Sequence, residues 1–252
     1  MLAAILPAET WAFMLVLVRV AAFFSLAPAL GEAVVPANVR LLMAVSVAFM
    51  LAPVVARGLP PLPASPLAMA LVVAGEIAAG LVMAMALRMV VSGLHVAGAL
   101  FGLQSGMAFA MAYDPSQGQQ SVLFSNFLTL AGVVLVFASG LHLVALGGLA
   151  DSYVLFPPGG LPPVRDFTTI ATDFVAEGFR IGVEIASPFI LFGILFNLGL
   201  GILNRLMPAM QVFFIAMPAQ ILLNLLLLAA SIGIGLELFA GRFAAALGRF
   251  LA

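Results

Sequence analysis

The sequence predicts an all-α, polytopic, membrane-class protein of kinked, Pro-broken helical hairpins, and three observations lead there. Of the 252 residues 65% are hydrophobic and 8% charged, with a mean hydropathy of +1.27, more apolar surface than a soluble domain of this length can cover. The apolar residues fall into runs near the roughly 20 residues that carry a helix across a bilayer. None of the runs alternates in the manner of an outer-membrane barrel, so their backbone groups must be satisfied within helices.

The elements follow in order. The N-terminal "MLAAILPAET" has no basic residue ahead of its apolar run, which continues past Trp11 for a full crossing. It is expected to remain as a helix over 11–30 and not to be cleaved as a signal peptide. A second crossing is expected over 39–56, and the Pro/Gly-rich "ARGLPPLPASP" (56–66) then stops it. Further crossings are expected over 67–90, 93–112 and 121–149, followed by a second Pro/Gly-rich connection, "FPPGGLPPVRD" (156–166), and by crossings over 181–206 and 218–240. The two connections divide the chain into three blocks, with no tandem repeat or low-complexity tail. Arg40, Arg57 and Arg165 are too few in the loops to set an orientation.

Composition excludes much chemistry. With no Cys there are no disulfides, thiolate metal sites or cysteine nucleophiles. All nine basic residues are Arg, and at a net charge of -1 nothing suggests nucleic acid or a polybasic lipid patch. His95 and His142, the only histidines, have no metal-ligand neighbour one turn away. No GxSxG elbow, P-loop or complete Gly-rich fingerprint occurs; Gly199 and Gly201 lack the strand and third glycine of a phosphate cradle. No catalytic, cofactor or metal residue is expected, and the partners should be apolar.

Several constellations remain. Gly98, Gly102 and Gly106 lie four apart on one helix face, which lets another backbone approach closely, within this chain or in an oligomer. Glycines at 75, 80, 93, 193, 199, 201, 233 and 235 add to the same character. Asp173, Glu177, Arg180 and Glu184 are spaced 4, 3 and 4 along a helix expected to start after Thr168 or Thr169. They form a charged seam, either a helix start at the water interface or a polar lining or inter-subunit ion-pair strip. Arg19, Glu76 and Arg88 are isolated charges in apolar runs; Glu76 and Arg88, twelve apart, are not expected to pair, so each needs a partner elsewhere, in this chain or on another. Asn204 and Arg205 suit a helix C-terminus that Pro208 then ends, with Pro218 closing the next ten residues.

The stretches "GLQSGMAFAMAYDP" (102–115), "ASGLHLVALGGLADSY" (138–153), "LGLGILNRLMPAMQVFFIAMP" (198–218) and "APALGEAVVPANVRLLMAVSVAFMLAP" (27–53) resemble, in order and spacing, the FliR family of flagellar biosynthetic proteins. The virulence type III secretion subunits are more distant kin. The resemblance implies a FliP-like helical part over 1–160 fused to a FliQ-like helical hairpin over 161–252. It implies a non-enzymatic structural and gating subunit of the flagellar type III export channel, in the bacterial inner membrane at the flagellar basal body. The partners it implies are FliP-like, FliQ-like, FlhB-like and FlhA-like proteins, unfolded exported substrates and membrane lipid, with no nucleic acid and no cofactor. It further implies a pore plug from Gly106 to Gly118, with Met107, Phe109 and Met111 as apolar fillers, Asp114 and Pro115 setting a turn, and Gln117 with its neighbours facing the lumen. Flexible Met thioethers suit such a gasket. Two departures touch single side chains: Ser139 stands where the family has Asn before a Gly-His pair, here split by Leu141, and Ala209 follows Pro208 where Gln is common. A virulence-type gate subunit is the alternative, as is a stand-alone secondary transporter using Glu76 and Glu184.

Overall fold

In the computed structural model, which describes residues 2–28, 30–32, 35–105, 119–159, 164–207 and 212–251, the chain is a succession of α-helices. They are α1 (Leu2–Leu26), α2 (Ala37–Val55), α3 (Pro66–Gln104), α4 (Gln119–Ala138), α5 (Leu141–Leu155), α6 (Val164–Leu206) and α7 (Val212–Gly248), with a 3-10 turn at Ala56–Gly58. Among the described residues, α1, α2, α3, α6 and α7 are long and apolar enough to cross a membrane, and α4 with α5 would add a bent sixth span.

The expected seven crossings are corrected at two places. The runs 67–90 and 93–112 are one helix, α3, continuous to Gln104. The Ser92-Gly93 pair between them lowers helix propensity but, unlike Pro, removes no hydrogen bond. The run 121–149 is instead broken after Ala138, where the chain bends by 74°. Gly140 makes the bend with φ 75°, a left-handed conformation that costs glycine little. Its N–H donates to the carbonyl of Phe137 (3.2 Å), and the Leu143 N–H donates to the carbonyl of Gly140 (2.9 Å). Two further bounds shift: α6 begins at Val164, ahead of Thr168, and α7 begins at Val212, ahead of Pro218. Pro53, Pro188 and Pro218 all lie inside helices, where each removes a single ladder bond that apolar surroundings still allow.

The helices form two compact units, residues 1–89, 136–175 and 243–252 in the first and 90–135 and 176–242 in the second. The first is built on α1, whose Leu15, Val16, Val20, Phe23 and Phe24 are buried. Trp11, Leu15 and Val72 pack together, with Leu59, Met69 and Val73 around them. Helix α2 rests on α1, and of its residues Ala44 and Ala48 are buried while Leu42, Phe49, Met50 and Val54 are exposed. Small residues inward and bulky ones outward invert the soluble pattern and suit lipid or protein neighbours.

In the second unit Phe101 of α3 lies edge-on to Phe124 of α4 (4.5 Å) and Phe189 of α6 (4.9 Å). Helices α6 and α7 run antiparallel there, Gly235 lying against Ile185 and Arg242 against Glu177. Glycines set the closest approaches: a Cβ on Gly93 would meet the carbonyl of Gly178, and one on Gly98 would meet the backbone of Ser125.

Candidate functional site

Among the described residues three polar centres stand out. The first, in unit one, gathers on Arg19. Its Nε and Nη2 donate to Glu76 Oε2 (2.7 Å) and Oε1 (3.1 Å), its Nη1 to Ser152 Oγ (3.1 Å) and its Nη2 also to the carbonyl of Phe156 (3.0 Å). The guanidinium lies 3.9 Å from the centre of the Tyr153 ring. Arg19 and Glu76 are each 1% exposed, so the charges are tolerable only because the fork is bidentate and each guanidinium nitrogen has an acceptor. Glycine brings the helices together: a Cβ on Gly80, one turn beyond Glu76, would run into the Arg19 carbonyl. The sequence marks Arg19 and Glu76 as charges in need of partners; each is the other's, within this chain. Arg88 likewise meets Glu32 (3.4 Å), but both are more than two-fifths exposed, which makes that pair weak.

The second centre, in unit two, takes in part of the charged seam. Arg242 of α7 donates from Nη1 to Glu177 Oε1 (3.0 Å) and from Nη2 to both oxygens of Glu184 (3.0 Å each). Arg180 Nε also donates to Glu184 Oε1 (2.9 Å). Two arginines thus neutralise two carboxylates across α6 and α7. Asp173 does not join them; it lines a hollow in unit one with Phe156, Phe174 and Arg249. Arg242 is one of the residues that the sequence does not single out, because nothing within α7 itself needs a charge there. Arg242→Gln should leave Glu184 with Arg180 only. The expected cost is about 1 kcal/mol, well short of a fully buried pair, because Arg242 is 31% exposed. Thermal denaturation of the purified protein checks it, and the loss should shrink in high salt.

The third centre closes α3. Both Gln220 Nε2 (3.1 Å) and Asn224 Nδ2 (3.2 Å) donate to the carbonyl of Gln104. Ser105 continues the ladder by one residue, its N–H on the carbonyl of Phe101 (2.8 Å) and its Oγ on that of Gly102 (2.8 Å). Upstream on α3, Gly98 lies against Ser125, whose Oγ donates to the carbonyl of His95 (3.0 Å), and Gly102 is buried.

The other expected residues are placed as follows. Gly106, Met107, Phe109, Met111, Asp114, Pro115 and Gln117 lie outside the described residues, as does Pro208. Asn204 and Arg205 are exposed in the last turn of α6, and the Met207 N–H reaches back to the carbonyl of Leu203 (2.9 Å). His142 packs on Phe137, ring centres 4.9 Å apart, while His95 is exposed.

Residues 10–246 match the family described as bacterial export proteins, family 1. Among curated proteins the chain is similar to the flagellar biosynthetic protein FliR of Caulobacter vibrioides, 36% identical, over 86% of this chain and 87% of that one. It is 31% identical to FliR of Aquifex aeolicus, over 85% of this chain and 82% of the other. It is 29% identical to FliR of Escherichia coli, over 85% and 81%.

Proposed function

The chain belongs to the bacterial export proteins, family 1, and from that premise we propose that it is a structural and gating subunit of the flagellar type III protein export channel. In this reading it carries no catalysis of its own and sits in the inner membrane at the flagellar basal body. It assembles there with FliP-like and FliQ-like subunits, beside FlhB-like and FlhA-like proteins, and passes unfolded substrates. The observation that carries the reading is the family match over residues 10–246. The outward-facing apolar side chains of α2 and the antiparallel α6 and α7 support it. In the same reading residues 1–160 are a FliP-like part and residues 161–252, which include those two helices, a FliQ-like hairpin. A stand-alone transporter needs acids free to handle ions, whereas Glu76 and Glu184 are both taken by arginines of this chain.

The gate's seal in this proposal is the segment from Gly106 to Gly118, filled by Met107, Phe109 and Met111 and turned by Asp114 and Pro115. Replacing the three apolar fillers with Gly should raise resting ion leakage through the assembled gate. Conductance of the purified complex in planar bilayers checks it, and native conductance in an assembled variant would remove the plug.

A further inference from the structure

Three carboxylates of the long helices are matched to arginines of this chain, Glu76 to Arg19 and both Glu177 and Glu184 to Arg242. Glu237 of α7 is not. Among the described residues it makes no hydrogen bond or ion pair, and it stands exposed with Ile232 to Leu236 before it and Leu238 to Ala240 after it. An ionisable side chain in such a run is costly against lipid and faces protein or water instead. The surface around it distinguishes the two. Earlier on α7 the exposed positions are bulky, Leu222, Leu223, Leu225 and Leu226, as suits contact with hydrocarbon. From 229 to 241 they are Ala229, Ala230, Gly233, Ile234, Glu237 and Gly241. A face turned to water would carry further polar side chains, and here the acid has none beside it. Ala230, Gly233, Glu237 and Gly241, spaced 3, 4 and 4, form one seam along the helix. Glycine weakens a helix, and nothing lies within 4 Å of a Cβ at Gly233 or Gly241, so no contact within this chain calls for either. At Gly93 and Gly98, by contrast, a neighbouring backbone of the same chain fills the space.

We propose that this face of α7 packs against a membrane helix of a different polypeptide, one that sets an arginine or lysine against Glu237; this rests on the reading of the chain as a subunit of an assembly. Charge complementarity selects that occupant. Lipid hydrocarbon offers a carboxylate nothing. A second copy of this chain, packed through the same face, would bring acid toward acid, and the face holds no base to answer it, since Arg242 is committed to Glu177 and Glu184. A basic helix answers the acid, and the small residues on either side of Glu237 let its backbone come close enough to do so.

The test uses the complex that the tagged full-length chain brings out of its own membranes in mild detergent. Glu237→Arg should lower the yield of intact complex at least about tenfold, because two like charges then face each other. Gly233→Leu with Gly241→Leu should lower it as well, by holding the helices apart. Neither variant should lower the thermal midpoint of the isolated chain, since Glu237 has no partner there and both glycines face open space; that separates a lost neighbour from a lost fold. If Glu237→Arg does not fold, Glu237→Gln, which keeps the shape and removes the charge, should weaken the complex by a smaller factor. A photoreactive benzophenone side chain at Ile234, 71% exposed beside the seam, identifies the neighbour. Light should join it to a helix of another polypeptide, with an arginine or lysine within one turn of the joined residue. Joining to lipid alone or to a second copy of this chain overturns the proposal, as does native yield from both the Glu237 and the glycine variants. A native chain that brings out no complex removes the subunit reading and this contact with it, whereas a complex indifferent to the seam removes the contact and leaves the subunit reading standing.

Discussion

Arg19→Met, made while Glu76 stays, is expected to cost about 3–5 kcal/mol, the scale of a buried charge deprived of its partner, and to leave little assembled protein in the membrane. The guanidinium bonds the Glu76 carboxylate twice, Ser152 and the Phe156 carbonyl, and covers the Tyr153 ring. Methionine fills most of the volume and replaces none of these. Glu76, 1% exposed, must then remain charged in apolar surroundings or take up a proton, and either is unfavourable. Adding Glu76→Gln to Arg19→Met should restore part of the loss, because removing both charges is far cheaper than stranding one. Yield and thermal midpoint of the tagged protein from membranes measure this. A single variant as stable as the native chain would show the pair to be ornamental.

Gly98→Leu is expected to be comparably damaging for a different reason. A Cβ at Gly98 meets the backbone nitrogen and Cα of Ser125, which cannot rotate away as a side-chain end can. The helices must separate, and the Ser125 hydroxyl loses the carbonyl of His95. Overpacking against backbone should cost about 1–3 kcal/mol or more. Gly199→Leu is the matched control, since nothing lies within 4 Å of a Cβ there. Equal complex yield from both variants would place the Gly98 face against lipid. The Gly98–Gly102 spacing is visible in the sequence, but only the fold separates a glycine pressed on backbone from one in open space.

The same division runs through the molecule. Hydropathy alone marks the all-α membrane character, and the isolated Arg19 and Glu76 stand out because charge in an apolar run is costly. Their pairing lies 57 residues apart, beyond any local periodicity. The break at Gly140 escapes because its signal is a φ of 75° at a Ser-Gly step, which a helix also tolerates at Ser92-Gly93. Arg242, Gln220 and Asn224 escape for a related reason: each is one polar residue in a long apolar helix, and its partners are on α3 or α6. The spacing along α6 does not foretell that Glu177 and Glu184 meet Arg242 of α7, nor that Asp173 lines a hollow with Phe174 and Arg249.

The central claim, that this chain works as a subunit of a protein-export gate and not alone, is tested most directly by isolating the affinity-tagged full-length chain from its own membranes under mild detergent. Mass spectrometry of the intact particle should find a stable complex containing FliP-like and FliQ-like proteins. A chain that purifies free of them and, reconstituted by itself, drives uptake of a small solute or ion would contradict it.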